Sequence, residues 1–157
     1  MEIKKKDIQQ ADKKNIYHIE NRFGKILINY DCNIFFPYGL AGIGDFKHFC
    51  ICVSPLKKVK GFKLLQSIDN QHLCFLIMPA LNDGTYLDKV EVLKVSELFN
   101  IDKNQIALAF IAADKMIDGK KRIVLNLKAP IIFDLERNMC YQYIFKNAVN
   151  NNVKIIL

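Results

Sequence analysis

The stretch Arg122–Leu135, RIVLNLKAPIIFDL, decides the fold. Ile123, Leu125, Leu127, Ala129, Ile131, Phe133 and Leu135 fill its odd positions, and every one is apolar. The even positions carry Arg122, Asn126, Lys128, Pro130 and Asp134, with Val124 and Ile132 the exceptions. Successive side chains of a strand point to opposite faces, so this period predicts a half-buried strand and not a helix. Fully extended, the run would reach roughly 45 Å at about 3.3 Å per residue. A compact domain of this length has a radius of gyration of only about 15 Å. The strand therefore has to bend. Pro130, which has no N–H to give to a ladder, marks the corner. The expectation is two strand segments that turn there while keeping one apolar face inward.

The same alternation recurs on either side. Upstream, Ile26, Ile28, Tyr30, Cys32, Ile34 and Phe36 share a face, with Asn29, Asp31 and Asn33 opposite, which predicts a second long strand or pair of strands. Shorter strands are expected at 15–20, 49–53, 62–69, 73–78, 86–92, 105–113 and 140–145, with 153–157 as a last edge strand. Pro79 is read as a stop for the 73–78 strand. Turn signals separate these runs, notably Asn70-Gln71, Asn82-Asp83-Gly84 and Asp118-Gly119. Ser96 is placed to cap a short helix over 97–99. Many short strands with barely one helix predict an all-β, antiparallel, β-barrel-like single domain. Residues 1–14, with Lys4, Lys5 and Lys6 in a row, read as a flexible basic arm, leaving 15–157 for the domain.

Composition narrows the function classes. The chain has 157 residues, a formal charge of +7 and no tryptophan. No apolar run approaches the roughly 20 residues needed to cross a bilayer, and the N-terminus lacks the apolar segment of a secretory signal, so a cytoplasmic protein is expected. The basic residues look scattered in sequence, which favours a general compositional drift over a nucleic-acid surface. Five cysteines, Cys32, Cys50, Cys52, Cys74 and Cys140, form an odd set without disulfide spacing and read as small core residues of a reducing compartment.

Catalytic and metal-binding motifs are not visible. The histidines at 18, 48 and 72 sit in no nucleophile, zinc or general-base pattern. His48, Cys50 and Cys52 would share a strand face, but alternate residues stand about 6.6 Å apart. Zinc bonds of about 2.0–2.3 Å do not readily gather such a trio. No metal and no cofactor are expected. Gly39, Gly42 and Gly44 fit neither a dinucleotide fingerprint nor a P-loop and read as turn formers. Asp69 and Asp134 read as turn and strand-end acids. A binding protein, not an enzyme, is the expectation; a basic RNA-binding β-barrel module is the alternative.

Three ordered blocks then carry a resemblance. Phe36-Pro37-Tyr38-Gly39-Leu40-Ala41-Gly42-Ile43-Gly44-Asp45-Phe46 is similar to the F-P-x-G-L-P-G-F-E block of the flagellar assembly factor FliW family. Leu65-Gln66-Ser67-Ile68-Asp69, followed by Cys74-Phe75-Leu76-Ile77 and Pro79, resembles its L-Q-S-L-D…F-L…P block. Val124-Leu125-Asn126-Leu127-Lys128-Ala129-Pro130-Ile131-Ile132, followed by Gln142, resembles its N-L-K-A-P…Q block. Ala41, Ile43 and Gly44 depart from the family pattern. The resemblance spans about residues 23–157 and implies a barrel-like domain without enzymatic activity. It also implies flagellin and the translational regulator CsrA as partners, exchanged by partner switching; no direct nucleic-acid or membrane contact is expected, and the sequence leaves the oligomeric state open, with a monomer the expectation. Within the shared blocks, Gln66, Asp69, Asn126, Lys128, Tyr38 and Leu40 are the expected partner-binding residues, whereas Gly39, Gly42 and Pro130 are expected to set geometry.

Overall fold

The computed structural model describes residues 15–56, 60–80 and 87–145 and the backbone of 153–155. The expected basic arm over 1–14, the lysines at 57 and 58 and the Asn82-Asp83-Gly84 turn lie outside the described residues. The chain falls into two compact units, Met1–Ile77 and Met78–Leu157. The described elements are almost all antiparallel strands, as the alternation predicts.

In the first unit, β1 (Ile16–Asn21) and β2 (Gly24–Asn29) form a hairpin with Asn21 opposite Gly24. Asn21 closes it, its side-chain oxygen accepting from the Phe23 N–H at 2.7 Å. The long alternating run that starts at Ile26 does not stay one strand. Asn29 accepts from the Asp31 N–H and starts a 3-10 turn over Tyr30–Cys32, so the run resumes only as β3 (Ile34–Phe35). Its apolar face holds on either side of the break, where Ile26, Ile28, Ile34 and Phe36 are buried, and fails at the turn, where Tyr30 is half-buried and Cys32 exposed.

Next come β4 (His48–Val53), β5 (Lys63–Ser67) and β6 (Cys74–Ala80), paired antiparallel in sequence order after β3. With a neighbour on each side, β5 buries Leu64, Leu65, Gln66 and Ser67 in succession, so both of its faces are covered. Phe36 meets Phe49 edge-on at 5.0 Å in this core. Pro79 does not stop β6, which runs on to Ala80 with Pro79 exposed.

The second unit contains the larger departure in secondary structure. Instead of a strand to Val92 and a three-residue helix capped by Ser96, one helix, α1, covers Lys89–Phe99. Asp88 is the cap, its carboxylate accepting from the Val90 N–H at 2.8 Å, and Asn100 ends the helix in the left-handed region at φ 54°. Ser96 is buried mid-helix, with its hydroxyl donating to the Leu93 carbonyl.

β7 (Ile106–Ile117) and β8 (Lys120–Asn126) follow as a long hairpin, then β9 (Ile131–Asp134) and β10 (Met139–Gln142), with β11 (Val153–Ile155) paired to β8. The opening stretch does split into two strands around a buried Pro130. Its single inward face holds only in part. β9 pairs with β7 on one side and β10 on the other, and all four of its residues are buried, whereas Leu135 is 58% exposed. Asp134 is buried with its charge answered. Its carboxylate accepts from the Glu136 and Arg137 N–H groups and pairs with the Arg137 guanidinium at 3.1 Å.

The cysteines pack as expected, except that Cys32 is exposed. The hydrogen bond to Cys52, and then burial, pushes the Cys50 thiol far up. Burial pushes Cys74 up to about 12, against the lowering pull of the Arg22 guanidinium. Burial and the nearby Asp134 raise Cys140. Cys50, Cys52, Cys74 and Cys140 are buried out of a reagent's reach, so at pH 8 a thiol reagent should consume one cysteine of the folded chain quickly and the remaining four only on unfolding. Two or more fast equivalents would contradict this packing. Because Cys50, Cys74 and Cys140 bind protons more tightly when folded, their contribution to stability is complete below the ordinary thiol range. For Cys74 it is lost as pH rises toward about 12.

Candidate functional site

The residues expected to meet a partner fall on three loops, two in the first unit and one in the second. The first loop, 37–47, leaves β3 by a double turn. Phe36 donates its N–H to the Lys47 carbonyl, Gly39 to Phe36, Ile43 to Leu40 and Phe46 to Ile43, which closes the loop on itself. Gly39 and Gly42 take φ of +65° and +81°, where a side chain is disfavoured. Gly39 also packs directly on Gly44, since a β-carbon there would lie 2.5 Å from the Gly44 α-carbon. The result is a compact loop pinned by buried Leu40 that holds Tyr38 outward at 76% exposure.

The second loop, 68–73, is built around Gln66. Its side-chain amide nitrogen lies 2.9 Å from the Ser67 carbonyl oxygen, 3.3 Å from that of Asn70, 3.1 Å from that of Gln71 and 3.3 Å from that of Leu73. Its side-chain oxygen accepts from the Asn21 amide at 2.7 Å, which ties the loop to the end of the β1–β2 hairpin. Arg22 adds a second tie, donating to the Cys74 carbonyl at 3.0 Å while lying over the Phe23 ring. Ser67 accepts from the Asn70 N–H and Asn70 from the His72 N–H, so polar side chains take up the turn's backbone donors. Asp69 sits exposed on this frame.

The third loop, 127–130, is the corner of the opening stretch. Asn126 accepts from the Lys128 N–H at 3.1 Å. The chain after β10 then runs beside the corner. Gln142 donates its side-chain N–H to the Ala129 carbonyl, the Tyr143 N–H to Pro130 and the Phe145 N–H to Lys128. That explains why Gln142 accompanies the N-L-K-A-P block. Asn126 is exposed and Lys128 half-buried.

The six expected residues thus divide by exposure. Tyr38, Asp69, Asn126 and Lys128 present surface, whereas Gln66 has none and Leu40 only 3%. Gln66 and Leu40 act on their loops from beneath. Sequence reasoning missed Asn21 and Arg22, which hold the Gln66 loop from the hairpin; their only trace in the sequence is a polar pair at a turn. The strand spacing counts against a His48–Cys50–Cys52 metal trio; within it the Cys50 and Cys52 sulfurs do lean together, to 3.7 Å. His48 turns instead to the Asn33 side chain, and no cluster of three ligating groups that could hold a metal occurs among the described residues. No described helix is long and apolar enough to cross a membrane.

Comparison with known proteins places relatives beside this chain. The family model described as "FliW protein" matches residues 18–155. The flagellar assembly factor FliW of Thermoanaerobacter pseudethanolicus is 30% identical over 126 residues, 80% of this chain and 82% of that protein. The one from Oceanobacillus iheyensis is 30% identical over 122 residues, covering 77% and 80%. A crystal structure of the flagellar assembly factor FliW superposes with a TM-score of 0.62 at 22% identity, over 88% of this chain and 95% of that one. At that identity the superposition speaks for the fold, whose all-β, barrel-like class is the one expected.

Proposed function

This chain belongs to the FliW family, and from that premise we propose that it is a cytoplasmic flagellar assembly factor that binds flagellin and antagonises CsrA by partner switching. The observation that carries the reading is the family match across residues 18–155, which includes all three partner-loop blocks. While flagellin is in excess it occupies the factor. Once flagellin is exported, the freed factor binds CsrA, CsrA releases flagellin messenger RNA, and translation resumes. Such antagonism requires differential affinity: the factor has to favour the RNA-incompetent state of CsrA, or it shifts nothing. The work is done by binding alone, with no catalytic step and no cofactor.

Partner contact is assigned to Tyr38 and Asp69 in the first unit and to Asn126 and Lys128 in the second. Gln66 and Leu40 shape the loops that present the first pair. An exposed tyrosine on a rigid loop is the favoured kind of anchor, since it offers a large amphipathic surface with little side-chain entropy to lose. Affinity capture with the purified chain should retain flagellin, and excess flagellin should displace CsrA. Y38A should weaken whichever complex uses the first loop by about tenfold or more, with the melting temperature unchanged. Retention of neither flagellin nor CsrA at micromolar concentrations would overturn the reading.

A further inference from the structure

The far end of the β7–β8 hairpin takes no part in that reading. β9 pairs with β7 only between Ile106 and Ala109, and β11 with β8 only between Val124 and Asn126. From Asp114–Ile123 to Ile117–Lys120 the two strands of the hairpin face each other residue for residue. From 113 to 121 every residue is exposed except half-buried Ile117. Asp118 and Gly119 close the ribbon with φ of 51° and 73°, the mirror-image turn that suits strand twist.

Its two faces differ in charge. Asp114 and Lys121 form an ion pair of 3.0 Å on one face, beside Met116. The other face carries Lys115 opposite Arg122 and Ile117 opposite Lys120, with no acid among them. Lys115, Lys120 and Arg122 make no ion pair among the described residues. Edge protection alone would explain lysines on a ribbon. It would not explain Lys115 placed directly across from Arg122, because like charges at facing positions destabilise the pair and a glutamate at either would protect the edge as well. Every polar group on this face donates and none accepts. The matching ligand is a line of acceptors with regularly spaced negative charge. Protein surfaces mix donors with acceptors; a phosphodiester backbone does not.

We propose that this face of the β7–β8 ribbon docks the phosphate backbone of a nucleic acid, held by Lys115, Lys120 and Arg122 with Ile117 lying among them. Facing positions set their β-carbons about 5 Å apart across the ribbon and about 6.6 Å apart along a strand, from which the long side chains can spread to follow a backbone. The Arg122 fork is suited to a phosphate in two-point contact. Between 115 and 122 no amide or aromatic side chain lies on this face to read a base, so binding there is indifferent to sequence and to the sugar. The net charge of +7 adds a long-range attraction for any polyanion. The block KMIDGKKR was read in the sequence for its turn alone; strand pairing is what sets its basic residues face to face.

The test is fluorescence anisotropy of the full chain with a short labelled single-stranded RNA and the DNA of the same sequence, across a salt series. Both should bind alike, and the log–log salt slope should contain a component of about −2, from three phosphates at about 0.7 each. The variant K115Q/K120Q/R122Q should lose that component and bind at least tenfold more weakly at low salt, whereas K103Q should behave as wild type. The charge-keeping pair K115R/R122K should retain the slope. The triple variant should melt no lower than wild type, because it relieves a like-charge pair; K115Q alone, losing about 0.7 of slope, is the check if it does not fold. An unchanged slope in the triple variant overturns the assignment. So does displacement of the RNA by polyglutamate at matched charge, which would point to an acidic protein. Flagellin capture by the triple variant should be intact, so the two readings fail separately.

Discussion

Alanine at position 39 should cost this protein about 3 kcal/mol, lowering the melting temperature by about 6–12 °C for a chain of this size. Two effects combine. A left-handed backbone disfavours any β-carbon by about 1–2 kcal/mol, and here that carbon would press to 2.5 Å against the Gly44 backbone, which has no side chain to move aside. Overpacking against a fixed neighbour adds roughly 1–3 kcal/mol. Gly42→Ala separates the two effects, since φ there is +81° but nothing lies within 4 Å of the added carbon. It should lose only the conformational part, about 1–2 kcal/mol. Equal losses by thermal melting in G39A and G42A would mean that the Gly39–Gly44 contact has no energetic weight. Because this loop presents Tyr38, G39A should also weaken any complex that uses it, even at temperatures where the chain stays folded.

Gln66→Leu is the second large effect, about 3 kcal/mol by denaturant titration. Leucine fills much the same space but strands the Asn21 amide and the carbonyls gathered around the glutamine nitrogen. An orphaned buried polar group costs about 1–3 kcal/mol. Gln66→Glu keeps the shape and adds a sign test. An ionised carboxylate only accepts, so it would face carbonyl oxygens with no proton to offer. Its folded pKa is thereby raised, and Q66E should gain stability as pH falls, where protonation restores one donor. A Q66L chain as stable as wild type would show that the loop does not depend on this residue.

How much of this was legible in the sequence varies by element, for physical reasons. Alternation located the strands because one-sided burial imposes period two, and it located the bend at Pro130 because an imino nitrogen cannot serve a ladder. It failed where burial was two-sided. β5 and β9 each lie between two partners, so Gln66 and Asp134 are as buried as the aliphatics around them. It failed again at α1. Val90, Val92 and Val95 suggest a strand by residue type, yet Val92, Val95, Ser96 and Phe99 recur at helical spacing, and Asp88 and Asn100 bracket them with caps. Spacing outweighed β-branching, a weak preference that packing readily overrides.

For the loops, the motif blocks named segments without saying which of their residues face out. Tyr38 and Gln66 looked alike as shared positions, yet one is 76% exposed and the other has no exposure. That difference is set by the double turn at Gly39 and by hydrogen bonds to Asn21, some 45 residues away, which no local pattern encodes. The cationic face of the β7–β8 ribbon was hidden for a related reason: facing positions are a product of register.

The crowd of carbonyl oxygens around Gln66 has a practical side. One amide group has two hydrogens and four oxygens within reach, so it can trade acceptors without ever meeting solvent. In a nitrogen-15 spectrum such a side chain should give a resolved pair of resonances that persists in heavy water. Those two peaks offer a resident gauge, needing no label on the surface, of whether a visiting protein distorts the neighbouring turn or leaves it as it was.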